Sequence, residues 1–228
     1  MPVRPSSLAL QLCGLSLLVG ACSETGASTV AYDAGTVISI ELDGQRISIT
    51  ADEVDEWVPT IAVVEPMKTL PAHRRLALTN IVLPRVMAAL AAPEAREEAR
   101  MRAQDSWDVI AEGLLEHKDL LEMEVVEGTF KETGLDVWGM ALRMQPEDWS
   151  PVFETVGAFA FFRFVGIPEP PWHPATPILI ERALFPFVDP GLAFSQIEDA
   201  NDRAVLTIVD PEWETLVPAA YRYRMSSE

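Results

Sequence analysis

At 228 residues, with 17 Lys and Arg against 35 Asp and Glu, the chain carries a formal charge of −18. That argues against nucleic acid as its partner, because phosphate-backbone binding rests on clustered cations. A 49% hydrophobic content is too high for a disordered chain, 18 Pro and 12 Gly without a period exclude a fibre, and two Cys build neither a disulfide scaffold nor a four-thiolate zinc site.

The N-terminus opens with Arg4 and a short apolar stretch from Leu8 to Val19, the arrangement of a secretory signal too short to span a bilayer. The stretch ends in Leu18-Val19-Gly20-Ala21-Cys22, which resembles the bacterial lipobox: an aliphatic residue, two small residues and the Cys that receives lipid. The resemblance implies a signal peptide over 1–21, discarded together with Cys13, and a mature chain anchored through acylated Cys22. Two or three acyl chains hold a domain at a membrane firmly, each buried methylene contributing about 0.8 kcal/mol. Ser23, where Asp would signal inner-membrane retention under enteric-type sorting, favours the outer membrane. An ordinary secretory signal with an incidental Cys is the alternative.

Small polar residues over 22–36 suit a flexible tether. Val37 to Leu42 then alternates apolar with polar, Asp43-Gly44 is a type I′ turn signal, and Gln45 to Thr50 alternates again, which predicts a β-hairpin. Thr50 with Glu53 reads as a capping box before a helix carrying Val54, Trp57, Val58 and Ile61, kinked or ended at Pro59. A second helix is expected from Pro71 to about Ala92 with a kink at Pro84, and a third from Pro93 to about Leu121 with Glu94, Glu97 and Glu98 in its first turn. From Glu122 the period changes to two, and Val125–Val126, Val137–Leu142, Val152–Val165, Ile178–Val188 and Arg203–Val209 read as strands around a proline-rich break at 168–177. A hairpin with helices followed by a strand-rich half predicts an α+β fold, with one domain over 37–121 and another over 122–228.

The strand, the Asp-Gly turn, Ile47-Ser48-Ile49-Thr50, the acidic capping box and the helix bearing Leu70-Pro71-Ala72-His73-Arg74-Arg75-Leu76 resemble the N-terminal domain of SurA-type periplasmic chaperones over about residues 37–121. Such chaperones often carry a parvulin-type prolyl isomerase domain. Gly134-Leu135-Asp136-Val137-Trp138-Gly139 is similar to a parvulin turn, and Pro151 to Phe159 is similar to its closing strands. The sequence departs from that pattern where its catalytic His residues belong: Phe159 stands in one slot and Ala183, within Arg182-Ala183-Leu184-Phe185, in the other. The resemblance therefore implies a degenerate isomerase region that binds without isomerising.

Other chemistry finds little in the sequence. His73, His117 and His173 form no metal-ligand spacing, so no metal or cofactor is expected. Glu112, Glu116, Asp119 and Glu122 recur at helical spacing, as a solvated acidic face does. No nucleophile elbow, phosphate loop or dinucleotide fingerprint occurs. Aromatics on alternate and adjacent positions of one strand, among them Phe159, Phe161, Phe162 and Phe164, require either burial on both faces or one face open to a client. Trp138, Met140, Met144, Trp149, Phe153, Phe159 and Phe161 are the candidate client-binding residues. The expected function is that of a lipid-anchored periplasmic chaperone or foldase-like protein binding unfolded or partner envelope polypeptides without isomerase catalysis. An envelope assembly lipoprotein with one fixed partner is the alternative, and an active prolyl isomerase the third reading.

Overall fold

The computed structural model describes residues 31–111, 122–166, 176–189, 191 and 193–222. The signal peptide, Cys22, His117, His173, Glu112, Glu116 and Asp119 lie outside the described residues.

The hairpin forms as its alternation dictates. β1 (Thr36–Leu42) pairs antiparallel with β2 (Gln45–Thr50), and Asp43 and Gly44 take positive φ values of 51° and 80° in the turn. Thr50 Oγ1 accepts the Glu53 N–H at 3.2 Å and so caps α1 (Ala51–Asp55). The helix breaks at Glu56 and Trp57, one turn earlier than Pro59 suggested. Pro59 instead sits in the first turn of α2 (Val58–Val64), where its missing N–H has no helical acceptor to lose.

The predicted long helix is present as α3 (Leu70–Ala77), a π-helical turn (Leu78–Val82) and α4 (Leu83–Ala91). Leu83 N–H reaches back five residues to Leu78 O. Pro84 follows with no N–H to donate, and the wider turn absorbs its ring without ending the helix. At Ala92 the chain bends by 107° into α5 (Pro93–Ala111). No single helix among the described residues is long and apolar enough to cross a membrane.

β3 (Glu124–Gly128) leads into two short helices, α6 (Phe130–Thr133) and α7 (Leu135–Ala141), followed by β4 (Phe153–Thr155), β5 (Ala158–Gly166) and β6 (Ile178–Pro186). The expectation of a strand over Val137–Leu142 is corrected by α7. Val137, Trp138 and Ala141 are buried on one side of that helix, so tertiary packing overrides the strand preference of Val and Trp. The Val152–Val165 segment is two strands joined at Val156-Gly157, where Gly157 has φ +79° and its carbonyl accepts from Phe187 and Val188. After β6 come α8 (Ala193–Arg203), absent from the sequence reading, then β7 (Val205–Ile208), a 3-10 turn at Pro211–Trp213 and α9 (Ala219–Arg222).

The fold is α+β, with two antiparallel sheets ordered β2-β1-β7 and β3-β6-β5-β4. β7 pairs with β1, Ile38 opposite Ile208, and α8 packs on α4. The expected division at 121 and 122 is therefore not a boundary between units, because residues from Tyr32 onward form one compact body and the C-terminal elements close the N-terminal sheet. An aliphatic core gathers Ile38, Ile40 and Ile49 from the hairpin, Leu78, Leu83 and Met87 from the long helix, and Leu206, Trp213 and Val217 from beyond α8.

The second sheet is covered on both faces. Phe162, Phe164, Ile178 and Ile180 pack under α7 against Val137 and Trp138. Phe159, Phe161 and Ala183 pack toward α5, whose Ala99, Ala103 and Ile110 are buried against them. Arg96 of α5 donates twice to Glu154, at 2.7 Å each, and fixes the helix against the β4 edge.

Candidate functional site

The two-sided burial decides the fate of the aromatic candidates. Trp138 and Phe161 are fully buried and Phe159 nearly so, which corrects the expectation that they face a client. Half-buried Trp149 stacks obliquely on Trp107 and Phe161, and half-buried Phe153 meets Phe162 edge-on at 5.9 Å. Met140 and Met144 pack against the core beneath α7. These residues are split between the two faces of the sheet and do not form one open surface.

The opening lies elsewhere on the α7 face. Along that face β5 presents Phe164, Phe162, Ala160 and Ala158 in turn, so the side chains shrink toward the β4–β5 turn and leave a space that α7 does not fill. A cavity of about 430 Å³ occupies this region. Asn80 and Ile81 of the π-turn form one wall, Lys131–Thr133 of α6 and Leu135–Val137 of α7 a second, and Thr155, Val156, Arg182 and Leu184 of the sheet a third. Inserting one extra residue per turn, as a π-bulge does, is a recurrent feature of functional sites; here it accompanies the exposed position of Asn80 at the cavity wall.

The polar groups of the cavity are held by short-range geometry. Thr129 caps α6 in a capping box: Glu132 Oε2 accepts the Thr129 N–H at 2.7 Å and also its hydroxyl, and these bonds hold the Glu132 carboxyl below its ordinary range. Gly134 joins α6 to α7 with φ +91°, and a Cβ there would come within 2.6 Å of Asp136 Oδ1, so only glycine lets the Asp136 carboxyl fold back over the turn. Asp136 Oδ1 accepts the Val137 N–H at 2.9 Å. Burial pushes the Asp136 carboxyl up from its ordinary value, while that N–H and the positive charges of Arg85 and Arg182 pull it partly back. Arg182 donates from Nη2 to Glu124 at 2.6 Å, but its buried Nε meets no acceptor.

A second close contact lies beside the cavity. A Cβ on Gly139 would lie 2.3 Å from Thr60 Cγ2, so α7 and α2 touch where no side chain intervenes, and Arg143 donates to Thr60 Oγ1 at 3.2 Å. Among the described residues, His73 is buried with its Nε2 2.8 Å from Glu65 O, and no group of three or more His, Cys, Asp or Glu is placed to hold a metal. Asn80, Lys131, Asp136 and Arg182 were not among the site residues expected from sequence. A signal existed for two of them: Pro84 sits four residues after Asn80, and Glu181-Arg182 is a charged pair inside an apolar strand. Comparison with known proteins finds no matching family model, no matching curated protein and no matching solved structure.

Proposed function

We propose that this chain is a SurA-like envelope protein, anchored through acylated Cys22, that holds segments of unfolded or partner polypeptides without catalysing prolyl isomerisation. The observation that carries this reading is the cavity between the π-turn, α7 and the sheet, in place of the sealed aromatic strand. Its walls mix apolar Ile81, Leu135, Val156 and Leu184 with hydrogen-bonding Asn80, Lys131 and Arg182. A polypeptide in extended form offers the matching mixture of apolar side chains and unsatisfied backbone groups. A photo-reactive side chain at Leu184 is expected to capture an unfolded outer-membrane client, whereas one at exposed Met101 on α5 is not. Equal capture at both places refutes the assignment. The full chain is expected to slow client aggregation and to leave the rate of X-Pro isomerisation, roughly tens to hundreds of seconds uncatalysed, unchanged. Dose-dependent acceleration turns the reading to an active isomerase.

A fixed partner is the second reading, favoured by the α2–α3 connection. Met67 is 94% exposed, with Leu70 and Val63 also exposed, and Val63 lines a hollow of about 290 Å³ together with Pro59 and Leu142. A protein that co-purifies at constant ratio and is lost on Met67→Lys supports it.

A further inference from the structure

We infer that the cavity is a carboxylate site: Lys131, Arg182 and Asn80 surround a space walled by Ile81, Val156 and Leu184, and together they fit a small apolar group that ends in a carboxylate. The inference rests on the polypeptide-binding reading and narrows it to the chemistry of the group that enters.

The donors with unused capacity decide the sign of the ligand. Among the described residues the Lys131 ammonium and the Asn80 amide meet no protein partner, and Arg182, whose Nη2 donates to Glu124, brings a second cation to the cavity wall. The hydroxyls on the same walls are already committed: Thr133 Oγ1 donates to Thr129 O at 2.9 Å and Thr155 Oγ1 to Ala158 O at 3.2 Å. The acids are committed too. Glu132 takes two bonds from Thr129, which hold its carboxylate at the start of α6. Asp136 and Glu132 are the carboxyls on the cavity wall that an incoming carboxylate has to face, with Arg85 and Arg182 the cations acting on Asp136 and Lys131 acting on Glu132. Burial raises the Asp136 carboxyl from its ordinary value, which lessens its repulsion of the ligand. What remains free is cationic and amide donors, which are the groups that recognise carboxylates.

The carboxylate has two sources, a polypeptide C-terminus and a free carboxylic acid. Isothermal titration of the full chain with N-acetyl-Ala-Leu as the free acid, with its C-terminal amide, and with hexanoate separates them. The free acid is expected to bind about tenfold more tightly than the amide, the difference of one charge-assisted hydrogen bond. Lys131→Ala and Asn80→Ala, at exposed positions that leave the core intact, are each expected to weaken the acid about three- to tenfold while leaving the amide unchanged. Hexanoate as tight as the dipeptide acid assigns the site to free acids, and hexanoate much weaker assigns it to chain termini; both support the carboxylate site. Equal affinity for acid and amide overturns it and leaves polypeptide binding standing. No binding of either at millimolar concentration also overturns it, and client capture at Leu184 then decides the broader reading by itself.

Discussion

Phe162 and Leu184 point to the same face of the same sheet, and they do opposite things. Phe162 is sealed beneath α7 against Trp138, whereas Leu184, on the neighbouring strand and nearer the β4–β5 turn, is exposed at the cavity. The aromatic end of the face is dry and filled. The other end, where β5 offers Ala160 and Ala158, is open and lined by mixed chemistry. A concentration of aromatics therefore marks the place where this molecule holds itself together, and the capacity to bind lies where large side chains give out.

The largest effect expected along this contrast is Trp138→Ala. Removing a fully buried indole is expected to cost about 3–5 kcal/mol, enough to unfold a marginal domain, as read by a denaturant midpoint. Were Trp138 a client-facing residue, the same change would alter binding and spare the fold. Gly139→Ala comes next, at about 1–3 kcal/mol, because its methyl group meets Thr60 Cγ2. Adding Thr60→Ala removes that atom and is expected to recover part of the loss, and absence of recovery would show that the α2–α7 contact yields by other means.

Asp136→Asn tests the open end through pH. The folded-state carboxyl is raised above its ordinary value, so the folded state holds the proton more tightly than the unfolded state. The stability this group contributes is present below that value and is lost as pH rises through the folded pKa. The Asn variant keeps an acceptor for the Val137 N–H and removes the buried charge. It is expected to be more stable than the parent at neutral pH and equal to it in strong acid, which thermal melts across that window measure. The smallest effect belongs to Leu184→Ser, expected within about 0.5 kcal/mol on stability while lowering client capture.

Elements whose signals are local were legible in the sequence. The hairpin needs only alternation and Asp43-Gly44, the helix at Ala51 needs Thr50, and Pro84 announces a disturbance in the long helix. α7 was not legible, because Val137 and Trp138 suit a strand as well as a helix and the deciding fact, the bare back of Gly139 against Thr60, belongs to a distant segment. The site failed for the same reason. Asn80, Lys131, Asp136 and Arg182 come from four elements, and nothing in their own neighbourhoods says that they converge. The sequence posed the choice between a buried and a half-open aromatic strand, and only the position of α5 resolves it.

The pairing of β7 with β1 has a consequence for the order in which the molecule is made. Ile38 is made before Ile208 and waits for it. Until β7 and the Trp213 turn arrive, Ile40, Met87 and their neighbours lack the side chains that complete their core. Between the synthesis of β1 and that of β7 the nascent chain exposes an unfinished sheet edge, a condition that favours aggregation and slow folding. A chain built this way completes its first sheet only when β7 is free to return to β1.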